Sequence, residues 1–183
     1  MNLITEKQFF QHFADFQQSA TRIETLDNYL VNDEREHFAL YQTGAPLPPE
    51  RNQAWAGLVR DAVANGKYMG RVHILGPALT PYLQFEIDWY YAVNSAAGED
   101  IRFIFAEDVP AEVIFSDTWL FDDTIVIHLG YDEDGRLLRI IRSDDPTSLR
   151  HARTAWTEFY RRSFPLAELL SKIRQNELKI PGQ

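Results

Sequence analysis

The stretch DDTIVIHLGYDEDG, Asp122 to Gly135, decides how the chain is read. Five carboxylates flank a short apolar run that holds one histidine, His128. A calcium loop of the EF-hand kind requires acids at positions 1, 3 and 5, Gly at 6 and Glu at 12. With Gly135 at position 6, Asp132 and Asp134 fit, but Gly130 stands at 1 and Ile141 at 12, so the two strongest requirements fail. Asp134-Gly135 between two β-rich runs is instead a hairpin signal. Asp122-Asp123, between WLF and TIVI, marks a tighter hairpin. The carboxylates are then turn residues at the two ends of a three-strand meander. His128 alternates with Val126 and Gly130 and faces away from Ile125, Ile127 and Leu129. A lone strand histidine is more often a satisfied or half-exposed residue than a ligand, and only His73, on another strand, is a plausible partner for it.

Working outward, strands are expected near 71–75, 101–105, 117–121, 124–131 and 137–142. Before them, 3–42 reads as helical: Phe9, Phe10, Phe13 and Phe16 recur at near-helical spacing, and Thr5 with Gln8 forms a capping box. A second helix is expected from about Asn32-Asp33, carrying Phe38 and Tyr41. TRIETLDNYL (21–30) suits either a turn or a short strand. A helix over 53–65 presents Trp55, Leu58, Val59 and Val63, with Gly66 as its stop. Thr80-Pro81 starts a helix over 81–93 that is apolar on two faces, the mark of an element sandwiched between layers. Asp145-Pro146 opens a long helix to about Ser163 with Ala152, Ala155, Trp156 and Phe159 buried. The last helix, from Pro165 to about Leu178, carries the stripe Leu166, Leu169, Leu170 and Ile173, which suits docking on its own domain or on a partner. The expectation is one α/β domain over 1–183: an N-terminal helical layer (1–66), a core (67–163) with a mixed or mostly antiparallel sheet, and an appended helix (164–180).

Composition excludes several function classes. The chain has 183 residues and no cysteine, which removes disulfides, thiol catalysis and iron–sulfur clusters. MNLITEKQFF lacks a basic and then apolar leader, and no apolar run approaches the roughly 18 residues a span requires. A cytoplasmic protein that does not enter membranes is the expectation. Lys+Arg is 18 against Asp+Glu 27, a net charge of −9, and the only basic cluster is Arg161-Arg162. Direct nucleic-acid binding, which rests on basic surface, is disfavoured.

Several stretches carry family resemblances. The order of strand, Pro-bearing turn, helix, GEDIRFIF (98–105), WLFDDT (119–124), hairpin and a long helix ending AWTEFYRRS (155–163) resembles a phospholipase D-like module over about 68–162. Phosphodiesterases use that unit, as do, in inactive form, sensor domains of some transcriptional regulators. The family's active signature, H-x-K-x-x-x-x-D, is absent. With Asp122 as its Asp, Phe115 and Asp117 occupy the His and Lys positions; with His128 as its His, Gly130 and Gly135 take the other two. The chemistry needs an imidazole nucleophile and a cation for the phosphate, so the resemblance implies a silent copy. RIETLDNY (22–29), ERNQAW (50–55), RVHIL (71–75), AAGEDIR (96–102), WLFDD (119–123) and TAW (154–156) are similar to an uncharacterised actinobacterial family, commonly encoded beside helix-turn-helix regulators. That resemblance implies a regulatory accessory role and a protein partner.

Candidate site residues are polar groups on rigid elements. Glu86 lies on the sandwiched helix, with Tyr82 at i−4 and Trp89 at i+3. Arg71, His73 and Arg102 lie on neighbouring strands, and Glu99 and Asp100 sit at the entry to the Arg102 strand. Ligands of α/β sheets bind near strand ends, where Glu99, Asp100 and His73 are expected to gather and where Arg22 and Glu24 reach from the N-terminal layer. The alternative is that Glu86–Arg102 or Glu24–Arg71 are structural ion pairs. No catalytic residue, metal ligand or cofactor is assigned. Three classes remain: a non-catalytic regulatory or partner-binding protein, a small-molecule sensor, and a divergent phosphodiesterase-like hydrolase.

Overall fold

The computed structural model describes residues 1–29, 34–48, 51–175 and 178. Its strands are β1 (Asn2–Leu3), β2 (Ser19–Glu24), β3 (Tyr68–Leu75), β4 (Asp100–Phe105), β5 (Thr118–Phe121), β6 (Ile125–Tyr131), β7 (Leu137–Ser143) and β8 (Phe164–Pro165). They form one sheet in the order β1-β7-β6-β5-β2-β3-β4-β8. β2, β3 and β4 run parallel, and every other pairing is antiparallel, so the sheet is mixed. This open α/β architecture is the class the sequence indicates, and each strand expected from 71 to 142 is present.

The N-terminal layer needs correction. Of the two readings of 21–30, the strand is the one found: α1 (Glu6–Asp15) is followed by β2, a central strand between β5 and β3 and not part of a helical layer. The α/β core therefore begins well before residue 67. Thr5 caps α1 with the expected box, and Phe9 and Phe13 turn inward. Helix α2 (Arg35–Gln42) is shorter than expected; the proposed start at Asn32-Asp33 lies outside the described residues. In α3 (Gln53–Ala64) the buried face is Ala56, Val59 and Ala62, rotated from the expected stripe. Small side chains there let the helix approach the sheet, and Val63 is left exposed.

Thr80 caps the sandwiched helix, with Leu83 N donating to its hydroxyl. That helix is not uniform. Helix α4 (Pro81–Phe85) passes into a π-helical segment, Glu86–Tyr91, and then α5 (Ala92–Ala97). Helix α6 (Pro146–Arg162) starts at Asp145, whose carboxylate accepts from Thr147 and Ser148 N–H groups. Helix α7 (Leu166–Arg174) buries Leu166 and Leu169 against β4 and the sandwiched helix, with Leu170 and Ile173 packed beside them. Its stripe is thus committed to the protein's own core.

Period-2 alternation divides the core between two faces. One face sends Ile23, Val72, Ile74 and Ile104 toward Ala155 and Phe159 of α6. The other sends Ala20, Met69, Trp119, Phe121 and Ile127 toward α1 and α3, and Leu75, Ile101 and Phe103 toward the sandwiched helix.

Both hairpin turns are as expected. Asp122 and Asp123 have φ of 50° and 54°, the double left-handed geometry of a type I′ turn. The Asp122 carboxylate accepts backbone N–H groups of Gln17, Gln18 and Ser19 at 2.8, 2.7 and 2.9 Å, tying this turn to the entry of β2. Asp132 Oδ1 accepts from Asp134 N and Arg136 N, with Gly135 at φ 81°.

Candidate functional site

The helix-covered face toward α1 and α3 carries charges where a sheet interior is ordinarily apolar. Register sets Arg22 on β2 beside Arg71 on β3, and Glu24 beside His73. Two like charges side by side across strands are unfavourable alone, so acids surround them. Arg71 Nη1 lies 3.0 and 3.1 Å from the two Glu24 oxygens, and Arg71 Nε lies 2.6 Å from Glu99 Oε1. Arg22 Nη2 contacts Asp117 Oδ1 at 3.2 Å. Arg22 Nε is 3.0 Å from Glu24 Oε1 but is not aligned for a hydrogen bond. Glu24, Arg71, Glu99 and Asp117 are all buried.

Aromatic groups complete the shell. Tyr29 OH donates to Asp117 and accepts from the backbone of Thr25. The Arg22 guanidinium stands 5.6 Å from the Tyr29 ring centre and 5.5 Å from that of Trp119. Trp55 Nε1 donates to Glu99 at 3.1 Å. His73 Nε2 faces the Leu26 carbonyl at 3.0 Å, which requires a proton on that nitrogen, and Nδ1 meets Tyr91 OH at 2.8 Å. Tyr91 OH also lies 2.9 Å from Glu24 and 3.4 Å from Glu86.

The π segment explains the Glu86 geometry. In a π turn the i+5 residue takes the place that i+4 holds in an α-helix. Tyr91 is thereby brought beside Glu86. Trp89 instead packs on Tyr41 and Phe85, at ring distances of 5.5 and 5.6 Å, outside the charged cluster.

Electrostatics differ among the acids. Burial would raise the Glu24 carboxyl, but Arg71 and then Arg22 outweigh it and hold it well below the usual carboxylate range. Burial, with Glu24 and Glu34 adding negative charge, pushes Glu86 well above that range and favours its protonated form. Asp117 is raised by burial against the pull of Arg22 and the Tyr29 hydrogen bond. Tyr131, at the edge of the cluster, is pushed up to about 12, chiefly by burial.

A cavity of about 280 Å³ opens over this cluster. Arg22, Glu24, Arg71 and Glu86 form its charged floor, and Trp55, Trp119, Tyr29, Tyr91 and Tyr131 stand in its walls. Of the nine residues singled out from sequence, Arg22, Glu24, Arg71, His73, Glu86 and Glu99 come together. Arg102 does not. It alternates with Ile101 and Phe103, so it points to the α6 face, donating to Ser163 and lying 4.6 Å from the Tyr160 ring centre. Asp100 accepts from Tyr68 and Tyr160 on that same side. The Glu24–Arg71 pair is present, whereas no Glu86–Arg102 pair occurs. Sequence reasoning missed Tyr29, Asp117, Tyr91, Tyr131 and Trp119, whereas Trp55 both packs on the core and lines the cavity. The available signal was Asp117, just before β5 and two residues from Trp119, a spacing that gives the two a common face. His128 lies on the opposite face, with Nδ1 3.1 Å from Ser116 Oγ. Among the described residues no group of three or more acidic or histidine side chains could hold a metal ion, and no helix is long and apolar enough to cross a membrane.

The fold, a mixed α/β sheet flanked by helices, has structural neighbours of the phospholipase D fold. It is similar to a phospholipase D family member, Nuc, from Salmonella typhimurium, with a TM-score of 0.53 and 7% identity over 87% of this chain and 88% of that one. NucT from Helicobacter pylori is also similar, with a TM-score of 0.49 and 8% identity over 87% and 89%. The chain belongs to the family described as Domain of unknown function (DUF6879), whose match spans residues 7–171. The likeness to Nuc, over 87% of the chain, reaches into the N-terminal region, beyond the 68–162 that the motifs indicate. No protein with a curated description matches the sequence.

Proposed function

We propose that this chain is a non-catalytic small-molecule-binding module with a regulatory role. The observation that carries the reading is the 280 Å³ cavity whose floor is a buried ionic cluster drawn from β2, β3 and the π segment. Apolar and aromatic walls with a few convergent polar groups are the usual composition of a ligand site, and π segments recur at functional sites. Phosphodiester chemistry is a poorer fit. Glu24, Glu99 and Asp117 already hold the guanidiniums of Arg22 and Arg71, and a phosphate would have to displace them. The net charge of −9 likewise disfavours contact with duplex DNA. A protein partner that reads the liganded state belongs to the same proposal. A helix-turn-helix regulator is the class that the sequence resemblance implies, and the apolar stripe of α7 is already packed on the protein's own core.

A fragment library screened by ligand-observed NMR should return binders that change the fluorescence of Trp55 and Trp119. Their affinity should fall in Tyr131→Ala, at the edge of the cavity. Binders indifferent to that substitution would overturn the reading, as would hydrolysis of bis(p-nitrophenyl) phosphate that His73→Ala abolishes.

A further inference from the structure

Building on the reading of this cavity as a small-molecule site, we propose that its ligand is a small organic cation seated on the carboxyl of Glu86. Glu24, Glu99 and Asp117 each hold a guanidinium. Glu86 is different. It is only 8% exposed, lines the cavity, and has no Lys, Arg or His within ion-pair distance among the described residues. Its one hydrogen-bond contact there is the Tyr91 hydroxyl at 3.4 Å, near the long limit for such a bond. A buried acid without a counter-ion is costly, and it avoids the cost by keeping its proton.

The groups facing Glu86 set the sign of the local potential. From the sheet come Glu24, Arg22 and Arg71, and Glu34 adds a further acid. Glu34 is bound by Tyr82 OH at 2.5 Å and also feels the charge of Arg51, and its carboxyl stands on the Glu86 side of the cavity. Tyr82 and Tyr91, on the same helix as Glu86, are neutral because burial raises both. The guanidiniums of Arg22 and Arg71 are committed to other carboxylates, and that of Arg51, which also acts on Glu34, donates to Tyr90 OH at 2.8 Å, so each of these cations is already engaged. A cationic ligand supplies the charge that Glu86 lacks.

Two further features fit. The walls already hold cations against aromatic faces, as with Arg22 over Tyr29 and Trp119 and Arg71 at 5.2 Å from the Tyr91 ring centre. The indole N–H of Trp119, whose side chain lines the cavity, is buried and has no acceptor among the described residues. A volume of about 280 Å³ is about nine water volumes at roughly 30 Å³ each, which suits a ligand the size of an arylalkylamine. Binding deprotonates Glu86: the proton leaves to solvent and the ligand ammonium replaces it as counter-charge. Affinity for a cation therefore rises with pH.

The test uses 2-phenylethylamine, 2-phenylethanol and phenylacetate, which share a frame and differ in charge, titrated into the full chain and into Glu86→Gln by calorimetry. The amine should bind about tenfold tighter than the alcohol at pH 8 and release a proton, seen as a buffer-dependent enthalpy. The preference should shrink toward pH 6. Glu86→Gln, which mimics the protonated acid and so preserves the fold, should lose both the preference and the proton release. Equal binding of amine and alcohol, tighter binding of phenylacetate, or an unchanged preference in Glu86→Gln overturns the inference. If alcohol and amine bind alike and Tyr131→Ala weakens both, the small-molecule reading stands and only the cation falls. If none of the three binds at millimolar concentration, both fall.

Discussion

The Arg71 guanidinium bonds both carboxylate oxygens of Glu24 across the β2–β3 register, at 3.0 and 3.1 Å, in the buried interior of the sheet. Desolvating such a pair is costly, and the larger penalty arises when one partner is removed and the other stays charged. Arg71→Met leaves Glu24 and Glu99 without it and should destabilise the protein by about 3–5 kcal/mol, read from urea denaturation. A Glu24→Gln/Arg71→Met double variant should recover part of that loss. A single variant as stable as wild type would mean that the pair is not buried as described.

The depressed Glu24 carboxyl makes a prediction on the acid side. A group with a lowered folded-state pKa contributes stability above its unfolded value, about 4.3 for Glu, and loses it as pH falls through the folded value. The stability gap between wild type and Glu24→Gln should be full at neutral pH and close on acidification below about 4. A gap constant from pH 7 to pH 2 would contradict the ionic role.

Glu86 runs the other way. Its folded-state pKa is raised, so its favourable contribution is present below the unfolded value and drains away as pH rises toward the folded one. Glu86→Gln should match wild type near pH 4 and melt progressively higher than wild type as pH rises. Melting curves that stay superimposed across that range would show Glu86 to be ionised or exposed.

Asp122 combines a left-handed backbone with three accepted N–H bonds from the start of β2. Asp122→Ala should cost about 1.5–3 kcal/mol, the range for hydrogen bonds to a charged group. Asp122→Asn, which tolerates the left-handed region and keeps one acceptor, should cost less. Equal losses in chemical denaturation would remove the capping argument.

The second hairpin should be inert. Replacing Asp132, Glu133 and Asp134 together with Asn keeps the turn chemistry and removes the charge. Neither ligand affinity nor melting temperature should change, and calcium should not stabilise the wild type. A calcium-dependent rise in melting temperature, abolished by the triple substitution, would make this turn a metal site.

The sheet from β4 to β7 was legible because its apolar and polar residues alternate with the period that strands impose. β2 was legible only as one of two alternatives, a strand or a turn, since SATRIE places Arg22 and Glu24 on the buried face, where the pattern calls for apolar residues. Only the partners on β3, β5 and before β4 make that burial tolerable, and those lie far away in sequence. For the site, charge and rigidity were enough to pick out Arg22, Glu24, Arg71, His73, Glu86 and Glu99. Arg102 was misplaced because neighbouring strands do not imply a common face: Ile101 and Phe103 fix its opposite orientation. Tyr91 takes the place beside Glu86 that α-helical spacing gives to Tyr90, through the π segment, a single-residue shift in helical phase that such spacing cannot foresee. Tyr29 and Tyr131 were missed because each joins the cluster only by tertiary contact.

The central place of β2 also has a consequence for synthesis. Its neighbour β5 emerges late: Thr21 and Leu120, joined by a hydrogen bond, are 99 residues apart. At about 5–20 residues per second, a ribosome needs about 5–20 s to deliver that partner. Through that interval an apolar strand would be an aggregation hazard on the nascent chain. The charges of Arg22 and Glu24 are the kind of gatekeepers that keep such a strand in solution until its partners arrive. The residues that floor the cavity in the finished protein thus protect the unfinished one.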